Sequence, residues 1–118
     1  MAYISIMLGS AKTADRARYT AFSEKFWELL REDGAISGKD CWGTDVPDGK
    51  LTSFPMAVKL EPDETVVASW IVWPDKETAD KAWGAMESDP RWQAFFAQGM
   101  AMDGPRMIFG GFEEVAGF

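Results

Sequence analysis

Lys50, Thr52, Ser53 and Phe54 stand almost side by side in the stretch Gly43 to Pro55, GTDVPDGKLTSFP, the densest cluster of ligand-gripping side chains in the chain. A glycine followed at a distance by Gly49-Lys50 invites comparison with the phosphate loop G-x-x-x-x-G-K-[ST], whose backbone N–H groups and lysine cradle phosphate oxygens. Here five residues separate Gly43 from Gly49 instead of four, Leu51 stands where the magnesium-binding hydroxyl belongs, and Pro47 removes a backbone donor. The phosphate reading fails. Pro47-Asp48-Gly49 is a turn sequence in its own right, because proline presets φ and glycine accepts φ > 0. Donors clustered beside an aromatic and a proline fit two roles, a loop that orients a ligand or one that contacts a second subunit.

Four further positions complete the candidate ligand-binding set. Trp42, set among glycines and polar residues, is expected to line a pocket. Lys50 and Arg106 would hold an anionic or carbonyl group, Thr52 and Ser53 would orient it beside Phe54, and Asp45 or Asp103 would be the nearest base. Both aspartates also read as turn residues, Asp45 beside Val46-Pro47 and Asp103 before Gly104-Pro105. The chain contains no histidine, which excludes Ser-His-Asp and Cys-His triads and removes the commonest metal ligand. Cys41 is the sole cysteine, so neither an intrachain disulfide nor a cysteine-based zinc cluster can form. The carboxylates follow no metal-ligating spacing, and neither metal nor cofactor is expected. Acid–base work near neutral pH is left to a perturbed carboxylate, a lysine, Cys41 or a tyrosine.

Charge narrows the partners. Twelve basic against 19 acidic residues give a net charge of −7, which disfavours phosphate backbones and anionic membrane surfaces. RMIFGGF (Arg106–Phe112) resembles an RNA-recognition strand in composition, but it falls on the fourth strand, not the third, and lacks clustered basic residues. Neither nucleic acid nor membrane is an expected partner. No apolar run approaches the roughly 20 residues of a membrane helix, and the N-terminal MAYISIMLGSAK lacks a signal peptide's basic start. With a single thiol, these features lead to the expectation of a soluble, cytoplasmic protein.

The elements that must position these residues read in the order β-α-β-β-α-β. Ala2–Leu8 is an expected strand ended by Gly9-Ser10, and Thr13 caps a helix that runs to Asp33 with Gly34 just beyond it. A weaker strand is expected within Ala35–Val46, and Met56–Leu60 as a further strand or arm. Thr65–Trp73 is the clearest strand, rich in β-branched and aromatic residues. Asp75 caps a second helix, Asp89-Pro90 breaks it and restarts it, Gly99 stops it, and Arg106–Val115 forms the last strand. The expected architecture is α+β and ferredoxin-like, an antiparallel sheet with two helices on one face, in one domain spanning residues 1–118.

The strands are apolar on both faces. Val67, Ile71 and Trp73 alternate with Val66, Ala68, Trp70 and Val72, while Ile4, Ile6 and Leu8 oppose Tyr3 and Met7. Two helices cover one face. The other is expected to pack on a second copy, making a homodimer through the sheet faces, unless the C-terminal tail or the Met56–Leu60 arm folds over it. Six tryptophans and seven methionines read as ordinary core or as the lining of an apolar pocket for a flat organic ligand.

Four segments together, Asp45–Val58, Pro62–Pro74, Asp89-Pro90-Arg91 and Asp103–Glu113, resemble the uncharacterised YbaA-like family of bacterial proteins at matched spacing. The last loop departs from that family's Met-Pro-Phe-Asp-Gly-Lys-Arg pattern at Ala101, Met102 and Pro105. The resemblance implies a dimeric α+β barrel, two ferredoxin-like sheets packed face to face. The wider barrel class is similar in fold and includes cofactor-free monooxygenases, haem-degrading enzymes, dehalogenating lyases and plain ligand binders. Haem degradation there depends on histidine, which this chain lacks. Two readings follow: a small-molecule-binding barrel, with a cofactor-independent enzyme as its catalytic form, or a non-catalytic structural or regulatory homodimer.

Overall fold

The computed structural model describes residues 2–118. Four strands, β1 (Tyr3–Lys12), β2 (Ser37–Trp42), β3 (Glu64–Trp73) and β4 (Ile108–Glu113), form one sheet in the order β2-β3-β1-β4. Every neighbouring pair is antiparallel. This is the ferredoxin-like arrangement. Helix α1 (Arg16–Glu32) links β1 to β2, a single turn α2 (Phe54–Ala57) lies between β2 and β3, and α3 (Lys76–Ala85) and α4 (Pro90–Ala97) link β3 to β4.

Local chemistry sets most boundaries. Gly34, just past α1, takes φ +108, where a side chain would be strained. The Asp75 carboxylate accepts the Thr78 N–H at 2.8 Å, and Asp89 accepts that of Arg91 at 2.9 Å, with Pro90 in the first turn of α4. The main core lies between helices and sheet, where Leu29, Leu30, Ile71, Trp73, Ala79, Ala82, Trp92 and Phe95 are buried together. The Trp92 indole donates to Asp33 at 2.8 Å, and Arg91 pairs with Glu32 and Asp33, which ties α4 to the end of α1.

Three expectations are corrected. Strand β1 continues through Gly9 and Ser10 to Lys12, because pairing with Val67 and Val66 outweighs the local tendency of Gly-Ser to break a strand. Thr13 does not cap α1; a short 3-10 turn (Thr13–Asp15) precedes that helix, and the Thr13 hydroxyl bonds the Thr65 hydroxyl at 2.7 Å. Met56–Leu60 is neither strand nor arm. Ser53 accepts the Met56 N–H at 3.1 Å and Pro55 occupies the first turn, which starts the helical turn α2 instead.

The second face of the sheet carries no helix of the main core. The register places Trp70, Ile6 and Gly110 in one row, with Ile4–Phe112 and Leu8–Ile108 on either side. Ile6, Trp70, Ile108 and Phe112 are 39–51 % exposed, whereas Trp73 on the helix side is fully buried.

Candidate functional site

One row of side chains crosses the helix-facing side of the sheet from edge to edge. Phe109 of β4 opposes Met7 of β1, Met7 opposes Ser69 of β3, and Ser69 opposes Asp40 of β2. Above this row lies a cavity of about 270 Å³, walled by Tyr19, Phe22 and Phe26 of α1 and by Trp83 and Met86. Five methionines (Met7, Met86, Met100, Met102 and Met107) contribute to its lining. In the neighbouring row Gly9 has no side chain, which lets the Met102 methyl reach the sheet there; an added Cβ would collide with it. Phe96, Met100 and Phe109 are exposed members of the lining, Phe109 on the edge strand β4, and the Asp40 carboxylate lies at the β2 edge.

Asp40 is held by neutral donors. The Tyr19 hydroxyl donates to Oδ1 at 3.3 Å and the Trp27 indole to Oδ2 at 3.1 Å. Burial pushes the Asp40 carboxyl above its ordinary pKa, opposed by hydrogen bonds from Ser23, Trp27, Tyr19 and Ser69 that favour the ionised form. Burial, and then the Asp40 charge, push the Tyr19 hydroxyl above the usual phenol range. On the outer side of Asp40 an open groove of about 660 Å³ follows α1 and β2, and Tyr19, Ser23 and Asp40 line both spaces. Asp40 therefore stands at a partition between an apolar interior and a solvent-filled groove.

Gly38 makes this geometry possible. It sits two residues before Asp40 on the same face, and an added Cβ would run into the Trp27 ring and the Trp70 carbonyl. Gly38→Ala is expected to displace Trp27 from Asp40 and to lower stability by about 1–3 kcal/mol in urea denaturation. An unchanged midpoint would show that the Trp27 contact is dispensable.

The candidate residues read from the sequence are distributed over three places. Trp42 lines the outer groove, its ring 5.7 Å from that of Tyr19 and 5.6 Å beneath the Arg16 guanidinium. Arg106 and Asp103 come together beside Glu64, the first residue of β3, with Arg106 Nε donating to Asp103 at 2.9 Å and Nη1 to Glu64 and the Lys59 carbonyl, each at 2.8 Å. Glu64 also accepts the Glu61 N–H at 2.9 Å, and its side chain is 3 % exposed. Arg106 pulls the Glu64 carboxyl down to about 2. The donors of Arg106 are thus engaged within the chain. Asp45, Lys50, Thr52 and Phe54 are exposed, and Ser53 caps α2. None of these five lines the apolar cavity.

Asp40, Tyr19, Ser69 and Glu64 were not singled out by motif or spacing. One signal existed for Asp40: strict alternation in Ser37–Trp42 puts it on the face of Trp42, an ionisable side chain among inward positions. Among the described residues no three His, Cys, Asp or Glu side chains gather as a metal-ligand set, and no helix is long and apolar enough to cross a membrane.

An antiparallel ferredoxin-like sheet, helices on one face and a cavity between the layers define an α+β class with solved examples. SnoaB, a cofactor-independent oxygenase from Streptomyces nogalater, superposes with a TM-score of 0.62 at 11% identity, over 99% of this chain and 97% of that one. An uncharacterized NIPSNAP domain protein from Burkholderia xenovorans superposes with a TM-score of 0.61 at 13% identity, over 97% and 95%. At such identities the likeness is one of fold. The sequence goes further: residues 2–104 match the family described as "Protein of unknown function (DUF1428)". The chain is 44% identical over 115 residues to the uncharacterized protein YbaA of Escherichia coli, covering 98% of this chain and 97% of that protein. It belongs to this family.

Proposed function

We propose that the protein is a homodimer that binds a small organic ligand in the cavity between helices and sheet, anchored at Asp40. The observation that carries this reading is a lone carboxylate, bonded by neutral groups, at one end of a cavity walled mainly by aromatic, aliphatic and methionine side chains, with Ser23 and Ser69 beside the carboxylate. Ligand sites combine these features, an apolar lining for binding energy and a few placed polar groups for orientation. In the catalytic form of the reading, Asp40 is the group placed to accept a proton from the ligand, and its raised pKa suits a base. The groove on its outer side gives that proton a route to water. The SnoaB likeness supports cofactor-independent chemistry as the form such catalysis would take.

A neutral aromatic probe tests the cavity. Titration with 2-naphthol, followed by intrinsic tryptophan fluorescence and calorimetry, is expected to give a saturable one-to-one complex per chain. Ser69→Leu, which fills the floor of the cavity, is expected to weaken that complex at least tenfold while leaving the circular dichroism spectrum unchanged. Absence of binding to the natural sequence, or equal binding by the variant, would remove the site.

The dimer rests on a separate observation, the contiguous apolar stripe of Trp70, Ile6, Ile108 and Phe112 on the second face. A second copy laid on it would bury several hundred Å² of apolar surface, at roughly 25 cal/mol per Å² before association costs. The Lys50 loop belongs to the same reading. Leu51, Phe54 and Met56 are exposed there beside Lys50, and this favours a subunit contact over a ligand contact.

A further inference from the structure

We infer that the ligand of this cavity is an organic ammonium, a protonated amine carried on an aromatic or otherwise apolar body; the inference rests on the cavity reading above. Asp40 lacks a counter-charge. Glu64 and Asp103 lie against Arg106, and Asp33 and Asp89 against Arg91. Asp40 alone of these five has only uncharged neighbours within bonding reach, namely Tyr19, Ser23, Trp27 and Ser69. Their dipoles hold the ionised form without cancelling its charge. None of the basic side chains along the outer groove pairs with Asp40: Arg16 stacks on Trp42, and none of Arg16, Arg31 and Lys39 forms an ion pair among the described residues.

The walls suit a cation. Tyr19, Phe22, Phe26 and Trp83 line the same cavity as Asp40, and the negative faces of aromatic rings attract an ammonium, more strongly when it is desolvated. A carboxylate set among aromatic rings offers both halves of ammonium recognition, the charge and the cage. The opposite class is disfavoured at the same place, since an anion would meet an unneutralised carboxylate in a poorly solvated site. The net charge of −7 adds long-range attraction for cations and repulsion for anions.

Three naphthyl probes separate this inference from the site it rests on. At pH 7.5 the natural protein is titrated with 2-naphthylmethylamine, its neutral isostere 2-naphthalenemethanol and the anionic 2-naphthylacetate. The amine is expected to bind at least tenfold more tightly than the alcohol, and the acetate at least tenfold more weakly. Asp40→Asn is expected to bring amine and alcohol to within about twofold of each other. Alcohol and amine binding equally well would overturn the ammonium inference and leave the cavity standing, as would a preference unchanged in Asp40→Asn. Should that variant fail to fold, the order amine, alcohol, acetate in the natural protein decides the matter by itself. Binding of none of the three would remove cavity and inference together.

Discussion

Trp70→Glu is expected to raise the dissociation constant of the proposed sheet-to-sheet dimer at least a thousandfold, leaving monomer at micromolar concentrations in sedimentation velocity. Trp70 lies next to Ile6 across the β1–β3 ladder, and the Ile4–Phe112 and Leu8–Ile108 pairs flank it. A large aromatic near the middle of an apolar patch is the kind of residue that dominates an interface, with truncation costing roughly 2–4 kcal/mol. Glutamate adds the burden of bringing two like charges into a region stripped of water. Together these reach the roughly 4 kcal/mol that a thousandfold change represents. The variant chain itself should stay folded, because Trp70 faces away from the helices and is already 44 % exposed in the single chain. A natural protein that sediments as a monomer at tens of micromolar would overturn the sheet-to-sheet dimer directly.

Glu64→Gln is expected to cost about 3 kcal/mol of stability at neutral pH and to remove part of the acid sensitivity of the fold. Arg106 is the main cause of the low Glu64 pKa, about 2 in the folded chain against an ordinary value of 4.5. The sign follows from that depression. The contribution is complete above pH 4.5, declines as pH falls from there towards 2, and is lost below both values. In urea denaturation the two proteins should therefore differ most at pH 7 and converge as the buffer approaches pH 2. Equal midpoints at pH 7 would show that the pair gains no more than its desolvation costs. The same network explains why Arg106 is poorly suited to gripping a ligand: its N–H groups already serve Asp103, Glu64 and the Lys59 carbonyl.

The residues of the last turns and caps were legible because their energies are local. Gly34 past α1, the Asp75 and Asp89 caps, Pro90 in the first turn of α4 and Gly99 beyond it each act within a few residues of themselves. The opposed faces of β1 and β3 were legible too, since alternation along an extended strand needs no partner to be seen. The α2 turn was missed although its signal was local. Met56–Leu60 is apolar enough for a strand, and Ser53 with Pro55 fits a ligand-orienting or subunit-contact loop as well as it fits a helix cap.

Composition, alternation and local caps by themselves determined the α+β class, the order of the four strands and of the helices other than α2, and the two apolar faces. Which polar residues meet was decided by strand register and helix packing: Asp40 reaches Ser69 across β2 and β3 and Tyr19 on α1, and Glu64 reaches Arg106 across 42 positions of sequence. A cap or a strand's alternation is an energy of neighbours along the chain. A cavity, or a carboxylate without a counter-charge, is a relation between segments far apart in it, and it exists only once the sheet has aligned them.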